Sequence, residues 1–112
     1  MYKERALKKL RKDLRTGIYA LIVLAILRSG IMHGYAIRKK FEELSDGKIV
    51  PSEGTLYDLL KSLEKLKLVR SFWGESGGRI RRYYEITDLG LEVLDELRKE
   101  FSELVKILEG LV

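Results

Sequence analysis

The strongest constraint in this sequence is a change of hydrophobic period at Leu66. Upstream of it, Leu56, Leu59, Leu60, Leu63 and Leu66 recur at the spacing of one helix face. Downstream, two segments rich in Val, Ile, Phe, Trp and Tyr, Leu68 to Trp73 and Arg79 to Ile86, flank Gly74-Glu75-Ser76-Gly77-Gly78. That is the pattern of a β-hairpin with a flexible tip. A helix followed at once by a two-stranded ribbon leaves few architectures open.

The rest of the chain reads as helix. Leu7, Leu10 and Leu14 predict a short amphipathic helix over Lys3 to Leu14 with a basic outer face. Thr16-Gly17 is expected to interrupt it, with Thr16 capping a second helix, Ile18 to Arg28, apolar on nearly all sides and therefore buried. Ser29-Gly30 ends that segment. A third helix is expected from Gly34 to Leu44, started by His33, with Ile37, Phe41 and Leu44 on its inner face. Ser45-Asp46-Gly47 is a turn. Pro51-Ser52 opens the fourth helix with Ser52 as N-cap, and Thr87 caps a long final helix that carries Asp88 in its first turn. The order is four helices, a hairpin and a helix: a mostly α fold with a small β-hairpin. It fits a winged helix-turn-helix over residues 1–86, N-terminal helix included, followed by a separate C-terminal helix over 87–112.

Composition removes several functions. The 112 residues include no Cys and one His, so thiolate chemistry and Cys- or His-cluster metal sites are excluded. No phosphate-binding glycine loop or nucleophile elbow is present. Neighbouring carboxylates such as Glu42-Glu43 and Asp95-Glu96 fall on solvated helix faces, and His33 reads as a cap. No catalytic residue, metal or cofactor is expected. The longest apolar run, Ile18 to Leu27, spans ten residues, whereas a bilayer needs about 20. Met1 to Arg15 is too charged for a secretory signal. A cytoplasmic protein without membrane contact is expected. Charged residues reach 35%, and there is no Asn or Gln, a balance typical of heat-adapted proteins.

The net charge of +5 conceals a division. Residues 1–86 carry 19 basic and 10 acidic side chains, whereas residues 87–112 carry 3 and 7. A basic body suits a polyanion; a thermophile's charge-rich surface is the plainer explanation. The fourth helix sharpens the first. Gly54, Tyr57, Asp58, Lys61 and Lys65 lie opposite its leucine stripe, with Ser52 and Thr55 in its first turn. Hydroxyls, a close backbone and a lysine at a helix N-terminus suit phosphate oxygens. Arg79, Arg81 and Arg82 on the hairpin add charge that could follow a DNA groove or backbone, although charge on an edge strand also blunts aggregation. Without Asn or Gln the usual bidentate reader of adenine is missing, so few direct base contacts are expected.

The last helix carries a heptad. Leu94, Leu97, Phe101, Leu104, Leu108 and Leu111 alternate at spacings of three and four, a coiled-coil seam just over two heptads long. Packing on the chain's own core is the simpler alternative. The opposite charge of this segment favours a contact between two chains, with the first helix clasping the partner.

With these residues in view, the chain resembles the PadR-like transcriptional regulators over about residues 14–108. The resemblance is carried by Ile26-Leu27, His33-Gly34-Tyr35-Ala36-Ile37, Pro51-Ser52-Glu53-Gly54-Thr55-Leu56-Tyr57, Leu63-Glu64 to Leu68-Val69, and Arg82-Tyr83-Tyr84-Glu85-Ile86-Thr87-Asp88-Leu89-Gly90. It implies a dimeric winged-helix protein that binds palindromic operators, usually as a repressor. It implies DNA contacts by Ser52, Gly54, Thr55 and Tyr57, supported by Tyr35. The single C-terminal helix resembles the short subfamily, whose dimers can hold a small aromatic effector at their interface. Some members place a Trp in that helix; here the only Trp is Trp73, on the wing, and Phe101 is the helix's only aromatic. The expectation is therefore a homodimeric regulator of double-stranded DNA. A non-specific architectural DNA binder and a winged protein-interaction module are the alternatives.

Overall fold

The computed structural model describes all residues, Met1–Val112. Seven elements follow one another: α1 (Tyr2–Arg28), β1 (Met32–His33), α2 (Gly34–Ser45), α3 (Glu53–Lys65), β2 (Val69–Ser76), β3 (Arg79–Ile86) and α4 (Asp88–Leu111). The fold is the mostly helical winged helix-turn-helix that the period change implied. Its core collects Val23, Leu24, Ile26 and Leu27 of α1, Ile37 and Phe41 of α2, and Leu56, Leu60 and Leu63 of α3. Leu68, Val69, Tyr84 and Leu94 close it from the sheet and α4.

The expected break at Thr16-Gly17 does not occur; α1 is one helix of 27 residues. The Thr16 hydroxyl donates to the Lys12 carbonyl at 2.8 Å, a bond within the helix that leaves it no capping role. Gly17 meets open space and disturbs nothing. Leu44 and Leu66, assigned to buried stripes, are exposed because each lies where its helix ends.

The caps follow the sequence. His33 Nδ1 accepts the Ala36 N–H at 3.1 Å, and Ser52 Oγ accepts the Thr55 N–H at 3.2 Å. Arg38 Nε donates to the Pro51 carbonyl at 2.8 Å, which ties α2 to the entry of α3. The sheet is antiparallel in the order β1-β3-β2. The short β1, unforeseen from two residues, pairs Met32 with Tyr84 and His33 with Tyr83. In the wing, register runs from Val69 opposite Ile86 to Ser76 opposite Arg79. The turn is thus the pair Gly77-Gly78 alone, both at positive φ (58° and 79°), the conformation whose twist matches paired strands.

Between α3 and α4 the chain folds tightly on itself. Lys67 has φ 65°, the Leu68 N–H returns to the Leu63 carbonyl at 3.0 Å, and the Thr87 N–H binds the Leu68 carbonyl at 3.0 Å. The Thr87 hydroxyl accepts the Gly90 N–H at 3.0 Å and donates to the Lys67 carbonyl at 2.7 Å. Gly90 is buried against this knuckle: a Cβ there would lie 2.2 Å from the Leu68 oxygen. Gly90→Ala should therefore destabilise the fold by about 3 kcal/mol, whereas Gly17→Ala, on open helix, should stabilise it by up to about 1 kcal/mol. Urea unfolding of both variants checks this; equal midpoints for the two would show that the close approach at Leu68 carries no weight.

Candidate nucleic-acid interface

Helix α3 positions its polar residues by burying Leu56, Leu60 and Leu63, which turns Gly54, Tyr57 and Lys61 outward. Tyr57 leans back over α2, where its hydroxyl would lie 3.6 Å from a Cβ on Gly34. A Cβ at position 34 would make ordinary van der Waals contact with this tyrosine. Tyr35, one residue on, stands exposed beside it.

An aromatic stack joins this pair to the wing. The His33 ring lies parallel to Tyr35 at 6.2 Å and edge-on to Tyr83 at 5.6 Å. Tyr83 in turn stacks on Phe72 at 6.0 Å. The Arg81 guanidinium sits 5.9 Å above Tyr35, with Nη1 3.3 Å from both ring nitrogens of His33. Because Nδ1 takes the Ala36 N–H, the neutral ring carries its proton on Nε2. Arg81 thus lies across the imidazole rather than on one lone pair. Burial first, and the Arg81 charge second, hold His33 below its ordinary pKa of 6.5.

The three wing arginines do not act together. Cross-strand pairing sets Arg81 opposite Gly74 and Arg79 opposite Ser76 on one face, and Arg82 opposite Trp73 on the other. Arg82 donates to Ser71 Oγ through Nε at 3.0 Å and Nη2 at 2.7 Å, lies 3.6 Å from a Glu64 oxygen, and covers the Trp73 ring at 5.5 Å. It is held against α3 and partly neutralised. Arg79 and Arg81 have no carboxylate partner.

An open cleft of about 700 Å³ lies between α3 and the wing. Tyr35, Tyr57, Arg79, Arg81 and Arg82, all expected from the sequence to contact DNA, line it, joined by His33, Trp73 and Ile80, for which no such contact was expected. No carboxylate lines it. The alternation of side chains along β2 and β3 was the signal that could have placed Trp73 with Arg82. Ser52 and Thr55 belong instead to a second cleft, beside α1, and Gly54 and Lys61 line neither.

Known proteins share this fold. The family model for PadR-like transcriptional regulators matches residues 23–96. The chain belongs to the PadR-like family. A transcriptional regulator from Clostridium thermocellum superposes with a TM-score of 0.83 at 31% identity, over 89% of this chain and 98% of that one. A PadR family regulator from Eggerthella lenta does so at 0.81 and 32%, over 99% and 96%. The transcriptional regulator YqjI of Escherichia coli is 32% identical over 84 residues, 75% of this chain; the match spans 39% of YqjI.

In this PadR-like chain the predicted seam of α4 divides. Leu94 is 4% exposed and belongs to the chain's own core, because the first turns of α4 pack against α1. Leu97 and Phe101 are 40% exposed, and exposure rises to 80% at Leu111. Leu104 and Leu108 are open as well, as are Leu7, Leu10 and Leu14 of α1. No helix is long and apolar enough to cross a membrane.

The depressed pKa of His33 has a sign that can be read in stability. The unfolded chain takes up this proton at a higher pH than the folded chain, so the contribution is whole above about pH 6.5 and declines as pH falls through the lower folded value. Wild-type stability should drop over that interval. His33→Asn, which retains a capping acceptor but cannot titrate, should lack that drop. Denaturation midpoints between pH 7.5 and 5 decide it, and identical slopes for the two proteins would remove His33 as the cause.

Proposed function

We propose that this protein is a homodimeric DNA-binding repressor acting on a pseudo-palindromic operator. The observation that carries the reading is the cleft between α3 and the wing, lined by two tyrosines and by Arg79 and Arg81, which no carboxylate neutralises, with the partly neutralised Arg82 at its side. Such a site suits a sugar-phosphate strand. Arginines supply charge, tyrosine hydroxyls supply directed hydrogen bonds, and the aromatic stack holds Arg81 in place before the strand arrives. With α3 in the major groove, Ser52, Gly54, Thr55 and Lys61 would face the duplex, and two copies one DNA turn apart, about 34 Å, would require a dimer. The apolar side chains from Leu97 to Leu111 on α4, with Leu7, Leu10 and Leu14 of α1, supply a surface for it. The reading extends to release by a small aromatic effector at that interface, beside Phe101, and to action in the cytoplasm. The lack of Asn and Gln favours readout by DNA shape and by Arg or Lys on guanine. It also favours, as a second reading, an architectural binder of low sequence preference. Selection of bound sites from random duplexes separates the two: one enriched palindrome supports an operator, and no enrichment supports the architectural role.

Lys61→Gln and Arg81→Gln should each weaken binding to all duplexes and flatten the salt dependence by about 0.9 for every phosphate no longer neutralised. Fluorescence anisotropy across a salt series measures the slope, and unchanged slopes in both variants would exclude this face. Leu97→Asp with Leu104→Asp sets two carboxylates per chain in the apolar surface, a cost of several kcal/mol if it is buried between copies. Sedimentation should then show half the wild-type mass and DNA binding should weaken; an unchanged mass would place any interface elsewhere.

A further inference from the structure

The family match begins at residue 23, and the basic N-terminal half of α1 lies outside it. That half is exposed to solvent along its whole length. It runs beside the first turn of α3, and the two enclose an open cleft of about 620 Å³. Lys8, Arg11, Lys12 and Arg15 line it from α1, facing Ser52 and Thr55 of the recognition helix. At spacings of three and four the four cations share one helix face. The face of Leu7, Leu10 and Leu14 is offset from it around the helix, with Leu7 at the border.

None of these four cations takes part in an ion pair. The one carboxylate in the lining, Glu4, is engaged by the amino group of Met1, and Asp13 is engaged by Lys9 at 3.1 Å. Like charges at this spacing repel and weaken a helix, so the stripe is costly to the free protein and is relieved by a polyanion. The opposite wall offers a free donor. Ser52 Oγ accepts the Thr55 N–H and gives its own hydrogen to Thr55 Oγ1 at 2.9 Å, which leaves the Thr55 hydroxyl hydrogen available.

We infer that this cleft binds one strand of the DNA backbone, so that the recognition helix is clamped from both sides. The inference rests on the DNA-binding reading above and adds a second phosphate site to it. A helix in the major groove has a phosphate strand along each flank. The wing cleft lies on one side of α3 and takes one strand. The α1 cleft borders the first turn of α3, with Ser52 and Thr55 in its wall, and takes the other. Lys8, Arg11, Lys12 and Arg15 are the cations that neutralise it.

The test uses the full chain and a pool of random-sequence duplexes three helical turns long. The triple variant K8Q/R11Q/R15Q should bind about tenfold or more weakly at low salt, with a slope of log K against log salt shallower by about 0.9 for each phosphate left without its cation. Its helix content and sedimentation mass should match wild type. The charge-matched variant R98Q/K99Q/K106Q on α4 should keep the wild-type slope. A wild-type slope in the α1 variant overturns the inference. So does an equal loss in both triples, which would reduce the effect to net charge. A changed mass for the α1 variant overturns it too, since the basic face would then pair copies through the acidic α4. If Lys61→Gln and Arg81→Gln flatten the slope while the α1 variant does not, only the second site falls. A wild-type chain that binds no duplex at low salt removes both readings together.

Discussion

The knuckle between Lys65 and Gly90 holds the molecule's parts in a fixed relation. Within it the Leu68 peptide is used on both sides: its N–H closes the end of α3, and its carbonyl receives the Thr87 N–H at the start of α4. Thr87 adds a hydroxyl bond to Lys67, and Gly90 lets α4 approach to a distance no side chain would permit. Helix α3, both wing strands and α4 therefore leave one small hydrogen-bonded junction. Rotation of α4 cannot be absorbed there without breaking backbone hydrogen bonds, each worth about 1 kcal/mol or more.

The wing solves a different problem, how to hold cations on a two-stranded ribbon that has little core of its own. Stacking supplies the support. Phe72, Tyr83, His33 and Tyr35 form a continuous run of rings, and Arg81 rests upon its end. The ring faces attract the guanidinium without neutralising it, so its charge stays available to a ligand. Arg82 shows the alternative: Glu64 and Ser71 hold it firmly, and part of its charge is spent on α3.

Much of the fold was legible because its signals are local. Ser52, His33 and Thr87 cap the helices they precede, and the Leu56, Leu60 and Leu63 stripe is buried as its spacing requires. The failures share a cause. Thr16-Gly17 resembles a cap and a break, yet a threonine hydroxyl can equally bond its own helix, and an isolated glycine costs too little to end a helix flanked on both sides by good formers. The heptad from Leu94 to Leu111 is uniform in sequence, but Leu94 lies within reach of the chain's own core and Leu111 does not. Period identifies an apolar face; it does not say which neighbour covers it.

The sequence by itself determined the order of elements, the caps, the basic body with its acidic tail, and the residue types available to meet phosphate. These depend on interactions between residues a few positions apart. Only the tertiary structure decided how those residues are grouped. It drew Tyr35 and Tyr57 together with the wing arginines, sent Arg82 to the opposite face from Arg79 and Arg81, and set the basic stripe of α1 beside Ser52 and Thr55. The reason is that such groupings depend on strand register and on the angle at which helices pack, and both are settled by burial of the core across the whole chain.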